Sequence, residues 1–206
     1  MARLAAENAN RELQMANDRR RNMVRSAANL ISSHGVSATS FSHVLADSGA
    51  PRGSIYHHFP EGKRQLAEAA IGWASDRVLE HQRACLASTP SEVVAWFIDL
   101  WRQSVLASGA MSGCAVAGVA IDTGGDGDLI GVVRTTFRSW VTLLADQLSE
   151  VGVPSDQAVS IATTALAAIE GALILCRAEG GVEPLNAVAG LLLSMLATQM
   201  PVSASR

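Results

Sequence analysis

At 206 residues, with 49% hydrophobic but only 4% aromatic side chains, the chain can bury a core without disulfide staples. Its abundant alanine and leucine lose little rotamer freedom in helices, so an all-α fold is expected and a sheet protein is not. The net charge of -3 is uneven: residues 1–66 carry nine Lys+Arg against five Asp+Glu and the remainder seven against fourteen, a basic head on an acidic body able to draw a polyanion to one end.

Residues 1–16 are polar, with no apolar stripe beyond Leu4, Leu13 and Met15, and are expected to be a flexible tail or short helical extension. A first helix then starts at Asn17 or Asp18. Met23, Ala27, Leu30 and Ile31 recur at helical spacing, Arg19, Arg20, Arg21 and Arg25 lie towards its start, and Gly35 stops it. Thr39 or Ser40 caps a short second helix carrying Phe41, Val44 and Leu45, which turns at Gly49. Pro51, Arg52 and Gly53 lead into a third segment, with Ile55 and Phe59 on an apolar side and Ser54, Tyr56 and His57 on a hydrogen-bonding side, closed by Pro60 and Gly62.

From Gly62 a long helix runs past Arg83 and links head to body, with Leu66, Ala70, Trp73 and Arg77 on one stripe. Pro90 opens a strongly apolar helix through Phe97 and Trp101 to Ser108, and a short buried piece spans Gly113 to Ile121. A glycine-rich loop at 124–128 precedes a helix carrying Val133, Phe137, Trp140 and Leu144. Pro154 opens the next, which ends at Gly180, and Pro184 sits in the first turn of the last. Residues 199–206 are expected to be a flexible tail.

Two short helices joined by a tight glycine turn suit entry of the second into a DNA major groove. Arg52 can pair with phosphate or bidentately with guanine, Gly53 permits close approach, and Tyr56 extends a hydroxyl. The run from Thr39-Ser40-Phe41 through Ser48-Gly49-Ala50-Pro51-Arg52-Gly53-Ser54-Ile55-Tyr56-His57-His58-Phe59-Pro60 resembles the DNA-binding signature of the TetR family of transcriptional regulators, over about residues 18–70. The resemblance implies a three-helix DNA-binding head at 17–62 and a larger ligand-binding and dimerisation domain at 63–198, about nine helices in all. It implies backbone contacts from Thr39, Ser40 and Ser42, groove contacts from Arg52, Gly53, Ser54, Tyr56 and His57, a phosphate contact from Lys63, and inward support from His58 and Phe59. Pro51 replaces the usual hydroxyl cap, and the segment Phe59 to Lys63 is one residue longer than the usual form. With Gly113-Cys114-Ala115-Val116, these features resemble a subgroup of multidrug- and flavonoid-responsive repressors.

By the same resemblance a small effector sits among the helices of the second domain. Trp73, Trp96, Phe97, Trp101, Met111, Cys114, Phe137 and Trp140 are large or polarizable residues there, and Asp122 offers a polar anchor, although apolar residues at helical spacing also serve as ordinary core. With no basic cluster legible in that region, the expected effector is neutral or cationic, apolar or aromatic. The last two long helices are expected to pair two copies, through Ala165, Ala168 and Ala172 in one and Leu185, Val188, Leu192 and Met195 in the other, or else to pack only within the subunit.

Cys85, Cys114 and Cys176 are odd in number and lie at no metal-ligand spacing, which fits reduced thiols. Asp126-Gly127-Asp128 lacks the later ligands of a calcium loop, His57 and His58 are adjacent rather than one turn apart, and no catalytic set can be nominated. With no uninterrupted apolar run of about 18 residues and no secretory signal at the start, a cytoplasmic protein is expected. The resulting expectation is a regulator without enzyme activity, cofactor or metal. It would bind a palindromic operator in double-stranded DNA as a homodimer and release it on binding a small molecule. A redox sensor using Cys114, or a small-molecule enzyme with a basic head, are the alternatives.

Overall fold

The computed structural model describes residues 2–122 and 127–198, and every regular element among them is an α-helix. The head contains α1 (Ala2–Ala38), α2 (Phe41–Ser48) and α3 (Ser54–His58). The body contains α4 (Lys63–Arg83), α5 (Pro90–Ala107), α6 (Ala115–Asp122), α7 (Gly127–Glu150), α8 (Ser155–Glu179) and α9 (Glu183–Thr198).

Of the two readings of residues 1–16, a helical extension is the one seen, because α1 begins at Ala2 instead of at Asn17. Residues 2–16 contain no glycine or proline and are rich in Ala, Leu, Glu, Gln, Met and Arg. These are strong helix formers, and they extend a helix nucleated further along even without an apolar stripe. Leu13 and Met15 are accordingly exposed. Of the expected loop at 124–128, Gly124, Gly125 and Asp126 lie outside the described residues, whereas Gly127 and Asp128 begin α7. The expected tail at 199–206 also lies outside them.

The head closes on Met23, Ala27, Ile31, Val44, Ile55 and Phe59, all but fully buried, with the Arg20 guanidinium 5.3 Å from the centre of the Phe59 ring. Ser40 caps α2 by accepting from the His43 amide at 3.2 Å. Thr89 and Glu92 form a reciprocal capping box at the start of α5, with Pro90 in its first turn. In the body, Gln82 of α4 donates to Gln147 of α7 at 2.6 Å, and the Gln147 amide donates back to the Gln82 carbonyl at 2.8 Å, so the two helices are pinned through polar groups inside the core.

The face of α8 differs from the expected one. Ala165 and Ala172, and Leu185 on α9, are buried within the subunit, at 0%, 1% and 0% exposure. Ala168, Val188 and Leu192 are half-buried, and Met195 is exposed. Because α8 is apolar nearly all round, the spacing of its small residues fits its inner side as well as its outer one. Its outer side instead presents Val159, Ile174 and Leu175, beside Leu191 and Met195 of α9. Among the described residues α8 is also the one helix long and apolar enough to cross a membrane by length and composition, with a mean hydropathy of 1.9 over its most apolar 18 residues.

Head and body meet along α1 and α6. The Gly113 amide donates to the Ser32 carbonyl at 3.1 Å, and a Cβ on Gly118 would lie 3.1 Å from the Ile31 carbonyl oxygen, so a side chain there would require the two backbones to give by a few tenths of an ångström. At the end of α1, Gly35 has φ 81° and ψ 170°, a combination confined essentially to glycine, and a Cβ there would lie 2.8 Å from the Asp122 carboxylate. Gly35→Ala is therefore expected to lower stability by about 1–3 kcal/mol. Urea denaturation of the two proteins measures this, and equal midpoints would contradict it.

Candidate functional site

The second and third helices hold most of the expected DNA-contacting residues at the surface. Ser40, Ser42, Arg52, Gly53, Tyr56, His57 and Lys63 are exposed, and Ser54 is half-buried. Tyr56 is 68% exposed although it adjoins the fully buried Ile55, so α3 divides into an anchored side and a free side. Its ring meets Phe41 edge-on at 5.6 Å, which sets the start of α2 beside the free side of α3. No side chain caps α3, as Pro51 leads one to expect; the Ser54 hydroxyl instead donates to the Pro51 carbonyl at 2.7 Å and closes the turn.

Thr39 is placed differently from its expected role. It is 4% exposed and its hydroxyl donates to the Gly35 carbonyl at 2.7 Å, because the break at Gly35 folds the chain back over it. Its side chain is thus a brace for the α1–α2 corner. Lys63 donates to the Ser37 carbonyl at 3.0 Å, so its ammonium stands at that same corner. His58 is half-buried, and its pKa is lowered first by burial and then by the charges of His57, Arg20 and Arg19, while Phe59 is fully buried, both as inward support requires.

The expected effector residues do not form one group. Trp73, Trp101, Cys114 and Trp140 line a cleft of about 600 Å³ between α1, α4, α5, α7 and the turn before α6. The other five lie elsewhere. Trp96 stacks on His81 at 4.6 Å and donates to its carbonyl at 2.8 Å, which ties α5 to the end of α4. Phe97 is core at 1% exposure, Phe137 packs edge-on against Trp140 at 5.5 Å outside the cleft, and Met111 is exposed on a loop. Asp122 is no ligand anchor, because its carboxylate accepts from the Ser37 amide and from the Ser37 hydroxyl at 2.7 Å. Those bonds, the amide's first, hold its pKa below the usual carboxylate range, helped by Lys63.

Sequence reasoning missed the polar half of the cleft. Arg25, Asn29, Ser32 and Ser33 come from α1, Arg77 from α4, and Gln103, Ser104, Ser108 and Ser112 from α5 and the loop after it. Two arginines thus line the cleft, one from the head and the other from the linking helix. The Arg77 guanidinium sits 5.0 Å from the centre of the Trp73 ring. The indole nitrogens of Trp101 and Trp140, two residues of the lining, are buried without a hydrogen-bond partner, as is Oε1 of Glu170, which does not line the cleft.

Cys114 lines the cleft as a buried thiol, 6% exposed. Burial pushes its thiol well above the ordinary value, and the adjacent Glu170 carboxyl pushes it further, so little of the reactive thiolate forms.

Comparison with known proteins decides the family. A model described as bacterial regulatory proteins, tetR family, matches residues 24–70, and one described as transcriptional regulator LmrA/YxaF-like, C-terminal domain, matches residues 90–190. The chain is 36% identical over 190 residues to the HTH-type transcriptional regulator Rv0196 of Mycobacterium tuberculosis, covering 88% of this chain and 96% of that one. The chain belongs to the TetR family of transcriptional regulators. This TetR-family regulator is also 30% identical over 176 residues to YxaF of Bacillus subtilis, covering 84% and 92% of the two chains. In fold it is similar to a TetR transcriptional regulator from Legionella pneumophila, with a TM-score of 0.76 at 22% identity over 85% of this chain and 95% of that one. A second, from Chloroflexus aurantiacus, gives 0.71 at 27% identity over 90% and 98%. The regulator is thus a helix-turn-helix DNA-binding protein and not an enzyme.

Burial pushes the Glu170 carboxyl up to about 7 from an ordinary value near 4.5, partly offset by the hydrogen bond from the Cys114 thiol. Between those two pH values the folded chain keeps a proton that the unfolded chain releases, so this group's contribution to stability falls as pH rises through the window. Glu170→Gln is expected to remove that loss and to be the more stable protein at pH 8, by up to about 3 kcal/mol, with little difference at pH 4.5. Urea titrations at both pH values measure it, and parallel pH profiles would contradict it.

Proposed function

We propose that this regulator is a repressor that binds a palindromic operator as a homodimer and leaves it when a small molecule fills the cleft between α1, α4, α5 and α7. The observation that carries the reading is the adjacency of the two features. The head exposes Arg52, Tyr56 and His57 to a groove, and the same head supplies one wall of the cleft. A ligand that prefers a different head angle then withdraws α3 from DNA, whereas one binding both arrangements equally would shift nothing. Arg52, Gly53, Ser54, Tyr56 and His57 read the groove, while Ser40, Ser42 and Lys63 serve the backbone. DNA as the partner places the protein in the cytoplasm.

The second copy docks on the outer faces of α8 and α9, where Val159, Ile174, Leu175, Leu191 and Met195 are each more than half exposed or close to it, at 53%, 63%, 51%, 63% and 51%. Leu192 and Met195 also border a groove of about 160 Å³ beside Ala165, which side chains of a partner can fill. Apolar surface on this scale marks a site of association, and its shared use by two identical chains gives the twofold axis that a palindromic operator needs.

Selection of genomic fragments by the purified protein supplies the operator. On that DNA, Tyr56→Phe or Arg52→Ala is expected to weaken binding by about 1–3 kcal/mol while leaving the dimer folded; unchanged affinity would remove their assigned roles. Binding should also weaken steeply with salt as phosphate contacts release counterions, and a salt-insensitive complex would contradict the assignment. For the interface, Ile174→Asp with Leu191→Asp is expected to give a folded monomer in sedimentation, and an intact dimer would place the interface elsewhere.

A further inference from the structure

The cleft carries information about its occupant that the fold alone does not. Its lining contains two arginines and no aspartate or glutamate. Among the described residues no carboxylate lies within ion-pair distance of Arg25 or Arg77. This is unusual for its setting, because residues 67–206 carry seven Lys+Arg against fourteen Asp+Glu. An acidic body thus encloses a cleft whose own charge is positive, and low-dielectric walls focus that field on whatever enters.

The remaining chemistry is arranged to match. Arg77 lies over the Trp73 ring, and Trp101 and Trp140 form an aromatic floor with centroids 5.9 Å apart. Both indoles are at least 94% buried, and their Nε1 donors have no partner in the protein.

We infer that the cleft takes a planar aromatic molecule bearing a carboxylate or comparable anion, its charge held between Arg25 of α1 and Arg77 of α4 and its ring on the tryptophan floor. The inference rests on the cleft being the effector site and adds the chemical class of the effector. Guanidinium groups hold carboxylates through paired, charge-assisted hydrogen bonds. An anion shared by α1 and α4 also ties the head to the linking helix, which gives the ligand a direct grip on the head angle.

Three probes with one ring system test this by calorimetry on the full chain: 2-naphthoate, 2-naphthamide and 2-naphthylmethylamine. The carboxylate is expected to bind at least about tenfold tighter than the amide, with the amine weakest. Arg25→Gln with Arg77→Gln is expected to bring the carboxylate down to the affinity of the amide and to leave the amide unchanged. Both arginines are surface residues outside the core, so the double variant should fold, which circular dichroism checks. If the amide or amine binds as tightly as the carboxylate, and Ser104→Phe abolishes all binding by filling the cleft, the cleft remains the effector site and the anion preference is overturned. If none of the three binds saturably, both the cleft assignment and the inference fall.

Discussion

The seat of α1 on α6 is the contact on which the rest of the molecule depends. Gly113 and Gly118 let the two helices approach until a body amide bonds a head carbonyl, and Asp122 finishes the seat by gripping Ser37 beyond the break at Gly35. The bonds are few, but each joins the DNA-binding head to the larger helical body. Because α2 and α3 are packed on α1 through Met23, Ile31, Val44 and Ile55, the direction of the Tyr56 face is set by how α1 sits. Lys63 reinforces the same corner from the start of α4.

The same contact creates the cleft. With α1 pressed against α6 near Ser32, the space between α1, α4 and α5 remains open and is lined by groups from both units. Two of its lining residues, Trp101 and Trp140, keep indole donors that a purely structural core would satisfy. Each unpaired buried group costs about 1–3 kcal/mol, and such departures from good packing rules gather where a protein must bind something. The Gln82 and Gln147 pair, by contrast, leaves one oxygen unpaired yet holds α4 to α7 rigidly, so the far end of the linking helix is fixed while its near end meets the head.

The helical fold was legible because periodicity and punctuation agree almost everywhere: Pro90 and Pro184 open helices and Gly180 ends one where the spacing demands. The DNA-binding segment was legible because its function is local, contained in the run from Ser48 to Pro60. What escaped was non-local. Asp122 looked like a free carboxylate because its partner, Ser37, lies 85 residues away. Arg25 and Arg77 sit on different helices of different units, so no stretch of sequence reads as a basic pocket. The face of α8 was hard to choose because a helix apolar nearly all round gives periodicity little to work with, and the structure buries Ala165 and Ala172 within the subunit. The length of α1 was missed for the opposite reason: its first residues form helix by propensity, with no packed face to announce it.

On the proposed function, the head-to-body seat seen here is the arrangement that holds DNA. Ser32 and Ser112 offer a direct test, since their hydroxyl oxygens lie 3.3 Å apart across the seam. Replacing both with cysteine and oxidising the pair fastens the head in this position. The locked protein should bind the selected operator at least as tightly as its reduced form; loss of operator binding on oxidation, restored by reductant, would show that DNA is held by a different arrangement.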